Sequence, residues 1–575
     1  MPRANEAVEA LLLEYADLLS ILSEDAFKPR AYEKAARAVG GYHADIAELD
    51  LKGILAIPNV GTSIGEKIHE YVETGTIAAL DELREQIPAG VRQLMAIPGL
   101  GPKRAMVLFE ELGITAVDQL SDAIEQGRLE GVRGFGAKTR ENIVRGIQQL
   151  HASGGRVQIN VALDLANDLL HELAGLRQVR RAAFAGSLRR MRETIGDVDL
   201  LVASSRPRPI MERFVSLPIV DRVLASGETK SSVTTTRGLQ VDLRVVPLDT
   251  WGAALIYFTG SKPHNIRIRE LAIRKGLRLN EYGLFRVKGG KRIVAETEEE
   301  VYEHLGLPYI PPTLREDRGE IEAALAGELP EVLQDKQIKG DLHTHTDLTD
   351  GLAPLEEMLE TAAARRYAYY AVTDHAPNLF MQRMTDEKIL AQRDRLRKLQ
   401  ERYPKMTLLH GSELNIDPEG GVDWPEGFLA DFDVLVASVH SHFNQPRDQM
   451  TRRIVRAMEN PYVHVIGHPT GRLIGRRQPF EFDEEEVFKA AARTGTALEI
   501  NGFPDRLDLK DEHILWARRY GVKFAVDTDS HATVHLEAMR FGVATAQRGW
   551  LTKDDVINAW PLAKLRRFLR KGRPA

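Results

Sequence analysis

The densest chemistry in this sequence is a run of imidazoles and carboxylates beyond residue 340. His343, His345 and Asp350 stand in DLHTHTDLTDG, Asp374 and His375 in YAVTDHA, and Glu413 in LLHGSELNI. His440 and His442 follow in LVASVHSHF, His468 in VIGHPTG, and Asp529 with His531 in AVDTDSHA. Nearly all of them close a β-rich run: AYYAVTD, MTLLHGSEL, VLVASVH, VHVIGHP, KFAVDTD. From His375 the intervals are 38, 27, 28 and 61 residues. The last is two units of about 30, the period of a strand–helix repeat. Side chains at successive strand ends meet on the C-terminal rim of a barrel. Nitrogen and oxygen donors in an apolar scaffold suit Zn²⁺ or Mn²⁺, and their number predicts a site for several ions. Isolated core or surface histidines would not follow strand ends so regularly.

A second group is purely acidic. In IGDVDLLVA, Asp197 and Asp199 lie two apart, so a strand sets both on one face. Asp242 belongs to another strand pattern, LQVDLRVV. Three carboxylates from two neighbouring strands suit Mg²⁺, which takes oxygen ligands and leaves room for substrate phosphates. Gly186-Ser187, then Arg189 and Arg190, offer donors to a triphosphate. That is the set a two-metal phosphoryl transfer requires. The plainer reading is a solvated strand end, where D-x-D is common.

The elements before residue 150 address backbone phosphate. IPNVGTSIGEKIHEYV, IPGLGPKRAMVLFEEL and VRGFGAKTRENIVRGI repeat one frame, a glycine turn followed by a helix. Gly61, Gly99, Gly101, Gly134 and Gly136, with Lys103, are the candidate DNA contacts. The glycines permit a turn with positive φ, and the next helix starts with free N–H groups that can hold a phosphate. Such helix-hairpin-helix units grip DNA without reading sequence. One copy would read as an ordinary helix–turn–helix connection; three favour DNA.

GSLRRMRETIGDVD (186–199) resembles the nucleotidyltransferase motif of family X DNA polymerases, relatives of DNA polymerase beta. YFTGSKPHN (257–265) resembles the family's nucleotide-pocket motif and LRLNEYGL (277–284) its later N-E-Y motif. The likeness runs from the N-terminal region to about residue 312. It implies Asp197, Asp199 and Asp242 as catalytic ligands of Mg²⁺, with Ser187 and Arg190 on the triphosphate. Tyr257 and Phe258 would lie against the sugar, Gly260 in the pocket turn, and Asn265 and Arg269 near the base pair. Lys262 replaces an acidic residue of polymerase beta, implying a different contact with the incoming base. Lys67, in GEKIHEY, falls where lyase members carry a Schiff-base lysine, and Lys28 and Tyr32 share a matching FKPRAYEKAA frame. Ser63 replaces a lysine that helps bind a 5′ phosphate. A Schiff base needs a neutral amine, and a plain helix-surface lysine is the other reading of Lys67.

The last stretch resembles the polymerase-and-histidinol-phosphatase (PHP) domain, whose family fold is a distorted barrel holding three metals. The ligands implied are His343, His345, Asp350, His375, Glu413, His440, His468, Asp529 and His531, all chemically competent. Asp374 and His442 are candidates to stand behind a metal-bound imidazole. Arg472, Arg476 and Arg477 either steer a phosphate or form a solvated loop. The whole order resembles a bacterial or archaeal family X polymerase. It implies gapped or nicked duplex DNA and dNTPs as substrates, gap filling in base excision repair, and a PHP 3′–5′ exonuclease. Abasic-site endonuclease and 3′-phosphatase action are further expectations. The rival reading is a DNA end-binding metallo-nuclease with weak polymerase activity.

Composition sets the frame. The 575 residues are 43% hydrophobic and 28% charged, with a net charge of −6. There is no cysteine, which excludes a disulfide scaffold, thiolate ligation and a cysteine nucleophile. The opening MPRANEAVEALLLEYADLL alternates charges through an amphipathic helix, so no signal peptide is expected. No apolar run approaches the ~20 residues of a membrane span. A cytoplasmic monomer is the expectation. The expected architecture is multidomain α+β and α/β. A helical domain (1–88) with the first hairpin precedes a fingers-like hairpin domain (89–154), a nucleotidyltransferase palm (155–250) and a nucleotide-pocket subdomain (251–312). A linker (313–335) then leads to a C-terminal distorted (β/α) barrel of PHP type (336–575).

Overall fold

The computed structural model describes residues 4–571, except 23–26, 41, 43, 88–90, 92–93, 96, 98–99, 133, 137–138, 141–142, 145–146, 148–154 and 380–383. The N-terminal region is helical. On Ala4–Leu22 the apolar positions Val8, Leu12, Tyr15 and Leu18 recur every three or four residues and are buried. Asn5 ties this helix down: its amide donates to the carbonyls of Val39, Tyr42 and Ala44, and its oxygen accepts from Ile46 N at 2.9 Å.

Next come β1 (Val157–Gln158), β2 (Arg181–Phe184), β3 (Thr194–Ile195), β4 (Asp197–Ala203), β5 (Val220–Ser226), β6 (Lys230–Thr235) and β7 (Gln240–Val246). β1 pairs with β3, and the other five form one sheet in the order β2-β4-β7-β6-β5. Strand β4 is apolar on both faces. Val198, Leu200 and Val202 join the cluster made with helices Ile159–Ala174 and Pro207–Val215. Leu201 and Ala203 pack on Trp251 and Ala254 of helix Trp251–Thr259. Only the leading end of β4, with its two aspartates, escapes this double burial, so charge is tolerated there.

Helix Lys262–Arg274, the antiparallel strands β8 (Leu277–Asn280), β9 (Gly283–Arg286) and β10 (Arg292–Val294), and helix Glu298–His304 share another core. Segment 313–335 belongs to two cores at once. Leu314, Ile321, Ala324 and Val332 pack into this one and Leu333 into the next.

The C-terminal region is a run of parallel strands paired in chain order. They are β11 (Gly340–Asp341), β12 (Tyr369–Val372), β13 (Thr407–Asn415), β14 (Val434–Ser438), β15 (Val465–Ile466), β16 (Ala497–Asn501) and β17 (Phe524–Asp527). A parallel bridge between Thr344 and Ser530 nearly closes the ring. Inward side chains, among them Leu342, Leu409, Val436 and Ala525, fill it, and Leu565 and Leu569 of the last helix plug one end. The other end is lined by imidazoles and carboxylates.

Candidate active sites

In the palm, β4 and β7 run parallel with Asp199 opposite Asp242 and Asp197 opposite Gln240. The register brings the two expected strands together, and alternation puts Asp197 on the same face as Asp199. Burial, then the charges of Asp197 and Asp242, push the Asp199 carboxyl up to about 7. Burial acts the same way on Asp242, but bonds from Gln240 and Ser232, with Lys230, outweigh it and hold that carboxyl below its ordinary value. Gln240 Nε2 donates to Asp242 Oδ1 at 2.9 Å, and Lys230 Nζ lies 3.3 Å from Oδ2. An all-oxygen cluster whose central carboxyl resists charging fits a hard divalent cation such as Mg²⁺.

The Gly186-Ser187 turn lies directly against this cluster. Ala185 N donates to Asp199 O at 2.8 Å, and a Cβ on Gly186 would stand 2.2 Å from Asp199 Oδ2. Gly186 has φ +59°, so both space and backbone require glycine. Arg190 Nε donates to Glu316 at 3.1 Å and its Nη1 to Thr259 O at 2.5 Å, beside Gly260 (φ +68°). Tyr257, Asn265 and Arg269 line one hollow with Leu279 and Asn280. Asn265 Nδ2 donates to Tyr257 O (2.7 Å), and Arg269 Nε to Asn265 O (3.0 Å). Phe258 stacks edge-on with Tyr257 and lies under the Arg244 guanidinium. Lys262 opens the helix capped by Ser261.

At the barrel rim, the nine expected ligands come together around Glu413. His343 Nε2 (3.4 Å), His345 Nε2 (3.6 Å), His375 Nδ1 (2.9 Å), His440 Nε2 (3.1 Å) and His468 Nε2 (3.0 Å) all face its carboxylate. Asp350 lies 3.3 Å from His375 Nε2 and 3.4 Å from His531 Nε2, while Asp529 lies 3.2 Å from His345 Nε2. Three sets gather donor atoms closely enough to share an ion: His345, Asp350, His375 and His531; His343, His345 and Asp529; His375, Glu413 and His440. Both ring nitrogens of His345, and Nε2 of His343, are buried without a hydrogen-bond partner. Buried polar atoms need partners. A mixed nitrogen and oxygen donor set of this kind fits a borderline divalent ion.

The groups behind the ligands differ from those expected. Asp374 supports a loop, accepting from Thr346 N, Thr346 Oγ1, Thr349 Oγ1 and Gln392 Nε2. His442 is exposed, with Nδ1 3.0 Å from Ser441 Oγ. Behind the imidazoles stand instead Glu499, 2.6 Å from His343 Nδ1, and Asn415, 2.7 Å from His440 Nδ1. Glu499 lies on β16, 31 residues after His468 and 30 before Asp529, midway in the double interval. The strand period therefore carried a signal for it. Arg506 also went unnoticed in the sequence; its Nε is 3.4 Å from Asp529, and its buried Nη1 has no hydrogen-bond partner. Arg472 holds Glu193 of the palm and the Leu507 carbonyl, and Arg477 stacks on Phe443. Of those three arginines only Arg476 is exposed.

Two of the hairpin glycines do not use the positive φ that glycine permits. Gly61 (φ −79°) and Gly101 (φ −71°) are extended N-caps, without a side-chain cap bond, of helices Thr62–Thr74 and Pro102–Leu112. Nothing lies within 4 Å of where their Cβ would be. Glycine there leaves the helix N-terminus open to an incoming group; it is not relieving a strained turn. Gly134 does take positive φ (+89°), Gly136 O accepts from Arg140 N, and Lys103 is exposed on the first turn of its helix. Gly99 lies outside the described residues. Lys67 Nζ donates to Ser63 O and Oγ at 3.2 Å and lies over the rings of Tyr15 and Tyr32, while Lys28 is exposed.

By fold, this is a nucleotidyltransferase palm with a polymerase-type thumb, joined to a PHP-type barrel. Family models match in the same order: a helix-hairpin-helix domain (3–77), a SAM-like helix-hairpin-helix tandem (91–149), the DNA polymerase beta thumb (254–316) and the PHP domain (341–502). The DNA polymerase/3′-5′ exonuclease PolX of Bacillus subtilis is 36% identical over 98% of both chains. A probable phosphatase of Thermoanaerobacter sp. is 30% identical over 40% of this chain and 94% of its own. Rat DNA polymerase lambda is 25% identical over 51% of this chain and 53% of its own. The chain belongs to the family X DNA polymerases that carry a C-terminal PHP domain.

Proposed function

We propose that this chain fills short gaps in duplex DNA during base excision repair and trims 3′ ends with its barrel. The observation that carries this reading is the presence of two separate metal-competent centres on one chain: the Asp199–Asp242 register pair and the Glu413-centred rim. In the palm, Asp197, Asp199 and Asp242 would hold Mg²⁺, Ser187 and Arg190 the triphosphate, and Tyr257, Phe258, Asn265 and Arg269 the sugar and base. Gly260 lets the pocket turn pass, and Lys262 faces the incoming base. At the rim, His343, His345, Asp350, His375, Glu413, His440, His468, Asp529 and His531 would hold three ions, Mn²⁺ or Zn²⁺. Bound there, such ions acidify water and neutralise phosphate charge. The chain's own part is to fix the ligands and to keep Arg506 against Asp529 with one buried N–H group in reserve for a phosphate.

The hairpin N-termini at Gly61, Gly99, Gly101, Gly134 and Gly136, with Lys103, would grip the DNA backbone on either side of a gap. Lys67 is the candidate amine for lyase chemistry, with a plain helix-surface lysine as the other reading. Its Nζ bonds Ser63 O and Oγ and lies over the rings of Tyr15 and Tyr32. The chain would act as a cytoplasmic monomer on gapped or nicked DNA and dNTPs, divided as 1–88, 89–154, 155–250, 251–312, 313–335 and 336–575. Among the described residues no helix is long and apolar enough to cross a membrane.

The test is a crossed pair on a one-nucleotide-gapped duplex, with Mg²⁺ and Mn²⁺ compared and with a chelator. Asp197→Ala with Asp199→Ala should abolish extension and keep 3′ degradation. Glu413→Ala should do the reverse. Extension that survives the double change, or degradation that survives Glu413→Ala, overturns the assignment.

A further inference from the structure

The barrel reaches into the palm. Arg548, on helix Met539–Arg548, is almost wholly buried. Its Nη1 donates to the backbone carbonyl of Arg190 at 2.8 Å and to Glu316 Oε1 at 2.9 Å. Its Nη2 donates to Asp511 of its own domain at 2.6 Å. Glu316 Oε1 is the same oxygen that accepts from Arg190 Nε at 3.1 Å. One carboxylate oxygen is thus shared by an arginine of the palm and an arginine of the barrel. Burial alone would raise the Glu316 carboxyl, but Arg548 and Arg190 outweigh it and keep it charged.

The consequence follows from competition. A buried carboxylate facing one guanidinium pairs with it through both oxygens, because the bidentate geometry is the strongest available. Arg548 competes for this carboxylate at Oε1, where Arg192 Nη1 also stands 3.9 Å away, and holds the Arg190 backbone from the other side. Arg190 makes a single bond to Glu316, through Nε, and its Nη2 makes no hydrogen bond among the described residues. We propose that Arg548 is a positioning residue for nucleotide binding in the polymerase centre. From the barrel it fixes the Arg190 main chain and keeps Glu316 from capturing the guanidinium needed by the triphosphate. The inference rests on the reading of Arg190 as a triphosphate ligand.

The experiment measures KM for dNTP and kcat in gap filling by the full chain, with 3′ degradation of single-stranded DNA as the check on barrel folding. Arg548→Met should raise KM about tenfold, the scale of one charge-assisted hydrogen bond lost, with kcat within about twofold. Arg548→Lys should recover part of the loss and reports in place of Arg548→Met should the latter misfold. Adding Glu316→Gln to Arg548→Met should restore KM, because the capturing charge is gone. Arg318→Met is the control: it severs Arg318–Asp511 (3.0 Å) across the same interface without touching Arg190. An equal rise of KM in Arg318→Met, or no rescue by Glu316→Gln, overturns the inference in favour of plain domain docking. A flat KM in Arg548→Met beside a raised KM in Arg190→Ala overturns the inference alone. A flat KM in Arg190→Ala removes the triphosphate reading beneath it.

Discussion

Gly186→Ala should silence the polymerase centre and leave the barrel's hydrolysis untouched. Two costs can be worked out separately. Alanine at φ +59° costs about 1–2 kcal/mol, the penalty for an L side chain in the left-handed region. The second cost is contact: the new Cβ would stand 2.2 Å from Asp199 Oδ2 and 3.2 Å from its Cγ. The carboxylate must withdraw by about 1 Å to regain ordinary separation, and a displacement of that order in a reacting constellation costs about 100-fold in rate. Gly238→Ala isolates the first cost. Gly238 has a similar φ (+75°) in the same domain, with nothing within 4 Å of its Cβ position. The assay is single-nucleotide gap filling at saturating dNTP, with thermal unfolding and 3′ degradation recorded on the same preparations. Both variants should lose similar stability, but only Gly186→Ala should lose the ~100-fold. Gap filling by Gly186→Ala within about threefold of the parent would refute the placement of this turn against a working Asp199.

Two further outcomes follow from buried carboxylates. Burial would raise the Glu298 carboxyl, but Arg315 and Arg189 outweigh it and hold it at about 2 instead of 4.5, which corresponds to about 3 kcal/mol. A depressed folded-state value stabilises above the unfolded value and loses that contribution as pH falls through the folded one. Glu298→Gln should therefore be destabilised by about 3 kcal/mol at pH 7, and the deficit should shrink between pH 4.5 and 2 in urea titrations; a pH-independent deficit contradicts the pairing. Glu499→Gln weakens the acceptor behind His343 Nδ1, so metal affinity at the rim should fall 10–100-fold, seen as chelator sensitivity of 3′ degradation with gap filling intact. Unchanged sensitivity would mean that Glu499 does not orient that imidazole.

What could be read from the chain alone divides by the distance over which each interaction acts. Most of the rim cluster was legible because its members follow the ends of strand patterns, and a strand end is a local property. Glu499 was partly legible: the interval of 61 residues called for one more strand, and the midpoint names the residue. The conformation of Gly61 and Gly101 was not, because glycine permits both signs of φ and only the neighbouring helix axis selects one. Lys230 reaches Asp242 through the antiparallel pairing of β6 with β7, which no local pattern announces. Arg548 and Arg190 are 358 positions apart, and neither segment carries a feature that requires the other. Charges buried between domains must nevertheless be matched, since an unpaired one costs several kcal/mol. Glu316 and Asp511 are the carboxylates that satisfy Arg548, with Arg190 and Arg318 completing the set. A palm and a barrel joined by such a network cannot separate without exposing or stranding these charges, so the placement of Arg190 is tied to the docking of the barrel.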